Sequence, residues 1–234
     1  NKTITLSRDH VGIKPLFYAE ISDGIIFGSE IKGMIDHVPN ARCIDEFAAA
    51  AMSYSGINAT KHTMFTNIKK VLPGQTLTYS IEHKKFIANK RTIITPDSKG
   101  NLDTEQFRQE AHATVEMSTL GIRKFGMFLS GGLDSTLVAH ELKNILGELD
   151  SFTNTMNPNV IIGEDFNSDA KCAKQFADDI GLNHHSIETT PKTVEEYWTP
   201  AMQHMEQPVY NMSMPMYYYT NKCLSEKGVV VTMA

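Results

Sequence analysis

This chain has few cysteines, one tryptophan and no long apolar run. Its three cysteines, Cys43, Cys172 and Cys223, lie far apart and form no Cys-x-x-Cys pair. That excludes a disulfide framework or a structural zinc site and suits a reducing, cytoplasmic setting. No apolar stretch approaches the ~20 residues that a membrane-spanning helix needs, and no secretory leader is expected at the start. Positive charge is not in excess either. Lys and Arg number 22 against 27 Asp and Glu, a net charge of −5, which argues against a nucleic-acid partner. The remainder is ordinary for a globular protein: 41% hydrophobic, 21% charged, and 234 residues, enough for one large domain or two modest ones.

The most informative stretch is residues 124–136, Lys-Phe-Gly-Met-Phe-Leu-Ser-Gly-Gly-Leu-Asp-Ser-Thr. Phe125–Leu129 reads as a buried strand and Ser130–Ser135 as a tight loop. A helix follows, with Leu137, Val138, Leu142, Ile145 and Leu146 available for its inner face. A strand, a glycine turn and a helix N-terminus form an anion site, because backbone N–H groups point outward and the helix dipole adds positive charge. Gly131 and Gly132 let the main chain curl around a phosphate, and Ser130 and Ser135 offer hydroxyls. Asp134 is out of place in an anion site unless a cation is present; magnesium carried by a nucleoside triphosphate meets that condition. The loop has neither the Gly-Lys-Ser/Thr ending of a P-loop nor the three glycines of a dinucleotide fingerprint. It resembles the loop of the ATP pyrophosphatases, which cut ATP between the α and β phosphates. The plainer alternative is an ordinary glycine turn.

Before this loop, residues 1–95 alternate short strands and turns. Thr3–Leu6, Leu16–Ala19 and Ile25–Gly28 read as strands, with a hairpin turn at Ser22-Asp23-Gly24. Residues 44–54 are rich in helix formers and stop at Gly56. Strands are expected again at Gln75–Ser80 and Lys84–Ala88. Residues 96–102 have linker composition. Then Asp103 and Gln106 form a capping box ahead of a helix carrying Phe107, Ala111 and Val115. Residues 103–234 alternate strand and helix: strands Phe125–Leu129, Ser151–Thr155, His185–Glu188 and Val229–Met233, with helices Asp134–Leu146, Ser168–Ile180, one opening at Thr190-Pro191, and about Pro215–Lys227. Such βα units argue for a parallel sheet with helices on both faces.

Both parts resemble one family, glutamine-hydrolysing asparagine synthetase. The matching residues are Ser7–Tyr18, Phe27–Lys32 and Ile68–Gly74 in the first part, and Leu129–Ser135, Asp150–Thr155, Asp169–Ala173, Gly181–His185 and Pro215-Met-Tyr in the second. The resemblance implies an α/β chain: the end of an α+β glutaminase-type sandwich (1–95), a linker (96–102), and the start of a doubly wound parallel-sheet ATP-pyrophosphatase domain (103–234), both incomplete. It further implies ATP-dependent amidation of aspartate. The aspartate side-chain carboxylate attacks the α-phosphorus of ATP, giving β-aspartyl-AMP and pyrophosphate, and ammonia from glutamine displaces AMP. ATP and Mg2+ are the implied cofactors; the partners are these small molecules and, for a split enzyme, complementary chains, with no nucleic acid and no membrane.

The resemblance assigns pyrophosphate to the amides of Gly131, Gly132 and Leu133 with Ser130 and Ser135. Asp134 goes to magnesium as an incomplete site, Leu129 to the edge of the adenosine, and Asn154 to the adenine. No residue is assigned to glutamine hydrolysis, since the family's nucleophilic cysteine has no counterpart here. Relatives that adenylate other carboxylates, the β-lactam synthetases and peptide cyclases, are the alternative, as is a non-catalytic remnant or scaffold. Glu164, Asp165 and Asp169 read as solvated acids, and His184-His185 lacks metal-ligand spacing. Arg8-Asp9 reads as an ion pair or turn feature, Met212–Tyr219 as a helix packing between domains, and Cys172 as a packed side chain beside Ala170, Ala173 and Phe176.

Overall fold

A period of two along the first strand fixes which way the first part folds. In β1 (Thr3–Ser7) Ile4 and Leu6 turn inward while Thr3, Thr5 and Ser7 face water, the alternation of a half-buried strand. The computed structural model describes residues 2–95, 100, 103–121, 123–157, 167–208 and 213–233. It divides into two units: Asn1–Ser98 with Met202–Asn211, and Lys99–Ala201 with Met212–Ala234.

In the first unit β2 (Phe17–Ile21) and β3 (Gly24–Gly28) form a hairpin in which Ile21 pairs with Gly24, as the Ser-Asp-Gly turn predicts. Helix α1 (Glu46–Ser55) is capped by Asp45, whose carboxylate accepts the Ala48 N–H at 2.9 Å, and ends at Gly56. The two-residue strand β4 (Lys69–Lys70) then adds to β2. Strands β5 (Gln75–Ser80) and β6 (Lys85–Arg91) pair antiparallel with each other, and β5 pairs with β1. Two three-stranded sheets result, in the orders β1-β5-β6 and β3-β2-β4. Leu6 and Leu77 from one sheet pack with Tyr18 from the other and Val71, so this part is a sandwich. Ala19, Ile31, Met34 and Ile68 fill a second core.

Arg8 and Asp9 do not pair with each other. The Arg8 guanidinium donates to the carbonyls of Lys14, Gly12 and Val71 at 2.8, 2.7 and 2.9 Å. Asp9 accepts the N–H groups of Gly12, Ile13 and Lys14. These bonds, that of Ile13 first, hold the Asp9 carboxyl below its usual range. The pair is therefore a turn device, the second of the two readings from sequence.

The second unit begins with α2 (Thr104–Ser118), capped by Asp103 through the N–H groups of Glu105 and Gln106. Only half of the expected capping box forms, because the Gln106 side chain bonds Glu110 instead. Strand β7 (Phe125–Phe128) leads to α3 (Leu133–Leu146), β8 (Asp150–Met156), α4 (Ser168–Ile180) and β9 (Asn183–Thr189). Then come α5 (Pro191–Met205), α6 (Ser213–Glu226) and β10 (Val231–Met233). The sheet order is β10-β7-β8-β9 and every pairing is parallel. Met127 and Leu129 pack with Ala139, Leu142, Ala173 and Ala177 on one face, and Phe152 and Ile187 with Leu224 and Val229 on the other. Helices pack on both faces of the sheet, as is usual for parallel strands.

Three expectations are corrected. Phe107 and Leu137 are 51% and 38% exposed, because the inner faces of α2 and α3 run through Val115 and through Ala139 and Leu142. Cys172 is exposed; α4 buries Ala170, Ala173 and Ala177 instead. Helix α6 turns Thr220 and Leu224 into the core of its own unit. Among the described residues, no helix is long and apolar enough to cross a membrane. Glu164, Asp165 and most of the 96–102 linker lie outside the described residues.

Candidate nucleotide site

The chain moves from β7 to β8 to β9 on one side, then returns to place β10 on the other side of β7. The sheet therefore changes direction next to β7, and a crevice beyond the carboxyl ends of strands opens at such a point. Ser130–Gly132 lies there, between the end of β7 and the start of α3, and Leu133–Ser135 form the first turn of that helix.

The loop is held by its own side chains. The Ser135 hydroxyl, 9% exposed, accepts the Ser130 N–H at 3.3 Å and lies 3.1 Å from the Gly132 carbonyl, to which it donates. It also lies 2.9 Å from the Ser130 hydroxyl, which accepts the Gly132 N–H at 3.3 Å. Gly131 has φ +79°, and a Cβ there would stand 2.7 Å from the Asp169 carbonyl oxygen and 2.8 Å from the Ala173 nitrogen. Glycine alone lets the loop pass this close to α4. Helix α3 starts from Gly132 without a side-chain cap, so its first-turn N–H groups are free to bind an anion.

The expected site residues separate into groups. Ser130, Gly131, Gly132, Leu133, Asp134 and Ser135 come together in the one loop. Leu133 is 83% exposed and contributes its main chain, while Leu129 is 1% exposed, its side chain sunk in the core. Asp134 stands exposed in the first turn of α3. Among the described residues no group of three or more His, Cys, Asp or Glu is arranged to hold a metal ion, so a cation at Asp134 would take its other ligands from phosphate and water. Asn154 points to the α6 face of the sheet, where its carbonyl accepts the Thr220 hydroxyl. Asp169 opens α4 as an exposed acid in its first turn.

Two residues that sequence reading overlooked shape the site. The buried Thr153 hydroxyl donates to the Leu129 carbonyl at 2.5 Å. The Asn167 amide bonds both the N–H and the carbonyl of Met156 at 2.9 Å, pinning the end of β8 as an extra strand would. Thr153 gave no distinct signal in the sequence, because β8 is polar at most of its positions.

The titratable clusters of the second unit sit elsewhere. Asp150, at the amino end of β8, pairs with Lys124 at 2.8 Å and His185 at 3.1 Å, and Asn183 also bonds it. Burial alone would raise its carboxyl; the bonds from Lys124, His185 and Asn183 outweigh this and hold it below the usual range. His184 and His185 point to opposite faces of β9. His184 meets Ser151 at 3.0 Å, and burial, with Lys174 nearby, pushes its pKa below the usual histidine value, while His185 stacks on Phe152.

Residues 106–234 match the asparagine synthase family and residues 1–90 match the glutamine amidotransferase domain. The chain is 31% identical over 202 residues to asparagine synthetase [glutamine-hydrolyzing] 2 of Bacillus subtilis (strain 168), covering 79% of this chain and 26% of that protein. It is 25% identical over 234 residues to asparagine synthetase [glutamine-hydrolyzing] 1 of the same organism, covering 97% and 35%. With asparagine synthetase [glutamine-hydrolyzing] of Homo sapiens it shares 27% over 218 residues, covering 80% and 33%. The chain thus spans about a quarter to a third of the length of the curated relatives it matches.

Proposed function

The chain belongs to the asparagine synthase family, and we propose that it carries the pyrophosphate-binding part of a glutamine-dependent asparagine synthetase. The observation that supports this most is the uncapped start of α3 behind Gly131, at the point where the parallel sheet changes direction. In this reading the amides of Gly131, Gly132 and Leu133, with the hydroxyls of Ser130 and Ser135, hold the pyrophosphate part of ATP. Magnesium, when bound, would neutralise charge on the pyrophosphate, and Asp134 would be a protein ligand to it. The donors are in place before reaction, so charge moving onto the pyrophosphate meets dipoles that need no rearrangement.

The substrate reading is aspartate, activated as β-aspartyl-AMP and then amidated by ammonia from glutamine. Glutamine hydrolysis is assigned to no residue of this chain, and complementary polypeptide is its proposed source. The first unit, matching the amidotransferase domain over residues 1–90, is read as the end of that glutaminase, joined through 96–102 to the synthetase part. The three free cysteines suit a cytoplasmic enzyme.

Titration calorimetry of the chain with ATP, with and without magnesium, tests this reading. Magnesium-dependent binding is expected, and Asp134→Asn is expected to remove the magnesium dependence while leaving the melting temperature within a degree or two. A folded chain that takes up neither ATP nor pyrophosphate overturns it.

A further inference from the structure

We infer that Thr153 is a positioning residue for the pyrophosphate loop, a role that rests on the nucleotide reading above. Thr153 lies on β8, outside the loop, and is 7% exposed. Its hydroxyl donates to the Leu129 carbonyl, while the Leu129 N–H donates to the Phe152 carbonyl at 2.9 Å. The peptide group joining Leu129 to Ser130 is therefore gripped from both sides: its oxygen by Thr153, its N–H by Ser135.

That grip matters because the next two residues are glycines. Glycine populates both signs of φ, so the direction of the loop after Ser130 is set by the peptide that precedes the two glycines. The Ser135 hydroxyl has a single hydrogen and stands near both the Gly132 carbonyl and the Ser130 hydroxyl. It cannot by itself fix where the loop begins. Thr153 supplies the missing restraint from a neighbouring strand. With the Leu129 carbonyl turned toward β8, Ser130 leaves the sheet in one direction and the loop amides face outward. A valine of the same shape would fill the space but leave the carbonyl without its donor.

The test compares Thr153→Val, Thr153→Ser and Ser151→Ala in the full chain, with binding of magnesium pyrophosphate and of magnesium ATP as readouts. Ser151 is a fully buried hydroxyl on the same strand that bonds His184 away from the loop. Thr153→Val is expected to weaken both ligands roughly ten-fold, the worth of one hydrogen bond. Thr153→Ser is expected to restore them, and Ser151→Ala to leave them unchanged. Should Thr153→Val fail to fold, Thr153→Cys, a poor donor of similar volume, takes its place. Wild-type affinity in the valine or cysteine variant, no rescue by serine, or an equal loss in Ser151→Ala overturns the inference while the nucleotide reading stands. A wild-type chain that binds neither ligand overturns both.

Discussion

The side-chain carbonyl of Asn154 accepts the hydroxyl of Thr220 at 2.5 Å, tying the middle of β8 to α6. Thr220 is fully buried and also faces the Met216 carbonyl at 2.9 Å. With its oxygen engaged, Asn154 has its amide hydrogens to offer a ligand. Thr220→Val is expected to cost about 1–3 kcal/mol, because it leaves a buried acceptor without a donor. A urea midpoint reads the loss. If Asn154 reads adenine, the same change narrows the preference for ATP over ITP in competition binding; an unchanged preference would remove Asn154 from base recognition.

The two loop glycines are expected to fail differently. An alanine at 131 would meet main-chain atoms of Asp169 and Ala173 at 2.7 and 2.8 Å with φ at +79°. Left-handed backbone alone costs about 1–2 kcal/mol for a residue with a Cβ, so Gly131→Ala is expected to lower the melting temperature and abolish nucleotide binding together. At Gly132 the nearest atom to a new Cβ is the Ser130 hydroxyl at 3.4 Å, an ordinary contact. Gly132→Ala is expected to fold normally and to lose affinity for pyrophosphate alone. Equal melting temperatures for both variants would contradict this picture of the loop.

Asp150 is a carboxylate through which acid should reach the stability of the second unit. Its carboxyl is held below the usual range in the folded chain, so the unfolded state binds the proton more readily. The stability it contributes is present above the unfolded value and is lost as pH falls from about 4 through the folded value. Melting temperatures measured from pH 6 downward are expected to fall more steeply in the wild type than in Asp150→Asn. Parallel curves would show that Lys124, His185 and Asn183 contribute nothing through this carboxylate.

In the first unit, Arg8 is expected to be intolerant even of lysine. One ammonium cannot reach the carbonyls of Lys14, Gly12 and Val71 that the planar guanidinium bonds at once. Arg8→Lys is expected to cost about 2–3 kcal/mol, the range for bonds to a charged donor, read as a denaturant midpoint.

Local features were legible along the chain because their causes are local. Asp103 caps its helix, Gly56 ends another, and the 22–24 turn joins its hairpin. The turn from β7 into α3 was equally readable, since a strand, two glycines and a helix start are consecutive residues. The same locality explains what was misjudged. Leu137, Phe107 and Cys172 are apolar at helical positions, yet which side of a helix is buried depends on the neighbour it meets.

By itself, the order of residues determined the family of the chain, the alternation of its elements and the loop that would hold pyrophosphate. Tertiary structure alone decided the strand order β10-β7-β8-β9, and with it the contacts Thr153 to Leu129 and Asn154 to Thr220. Those pairs are 24 and 66 residues apart in the chain. No local propensity encodes them: each hydroxyl meets its carbonyl only after the parallel sheet and the helices on its faces have packed.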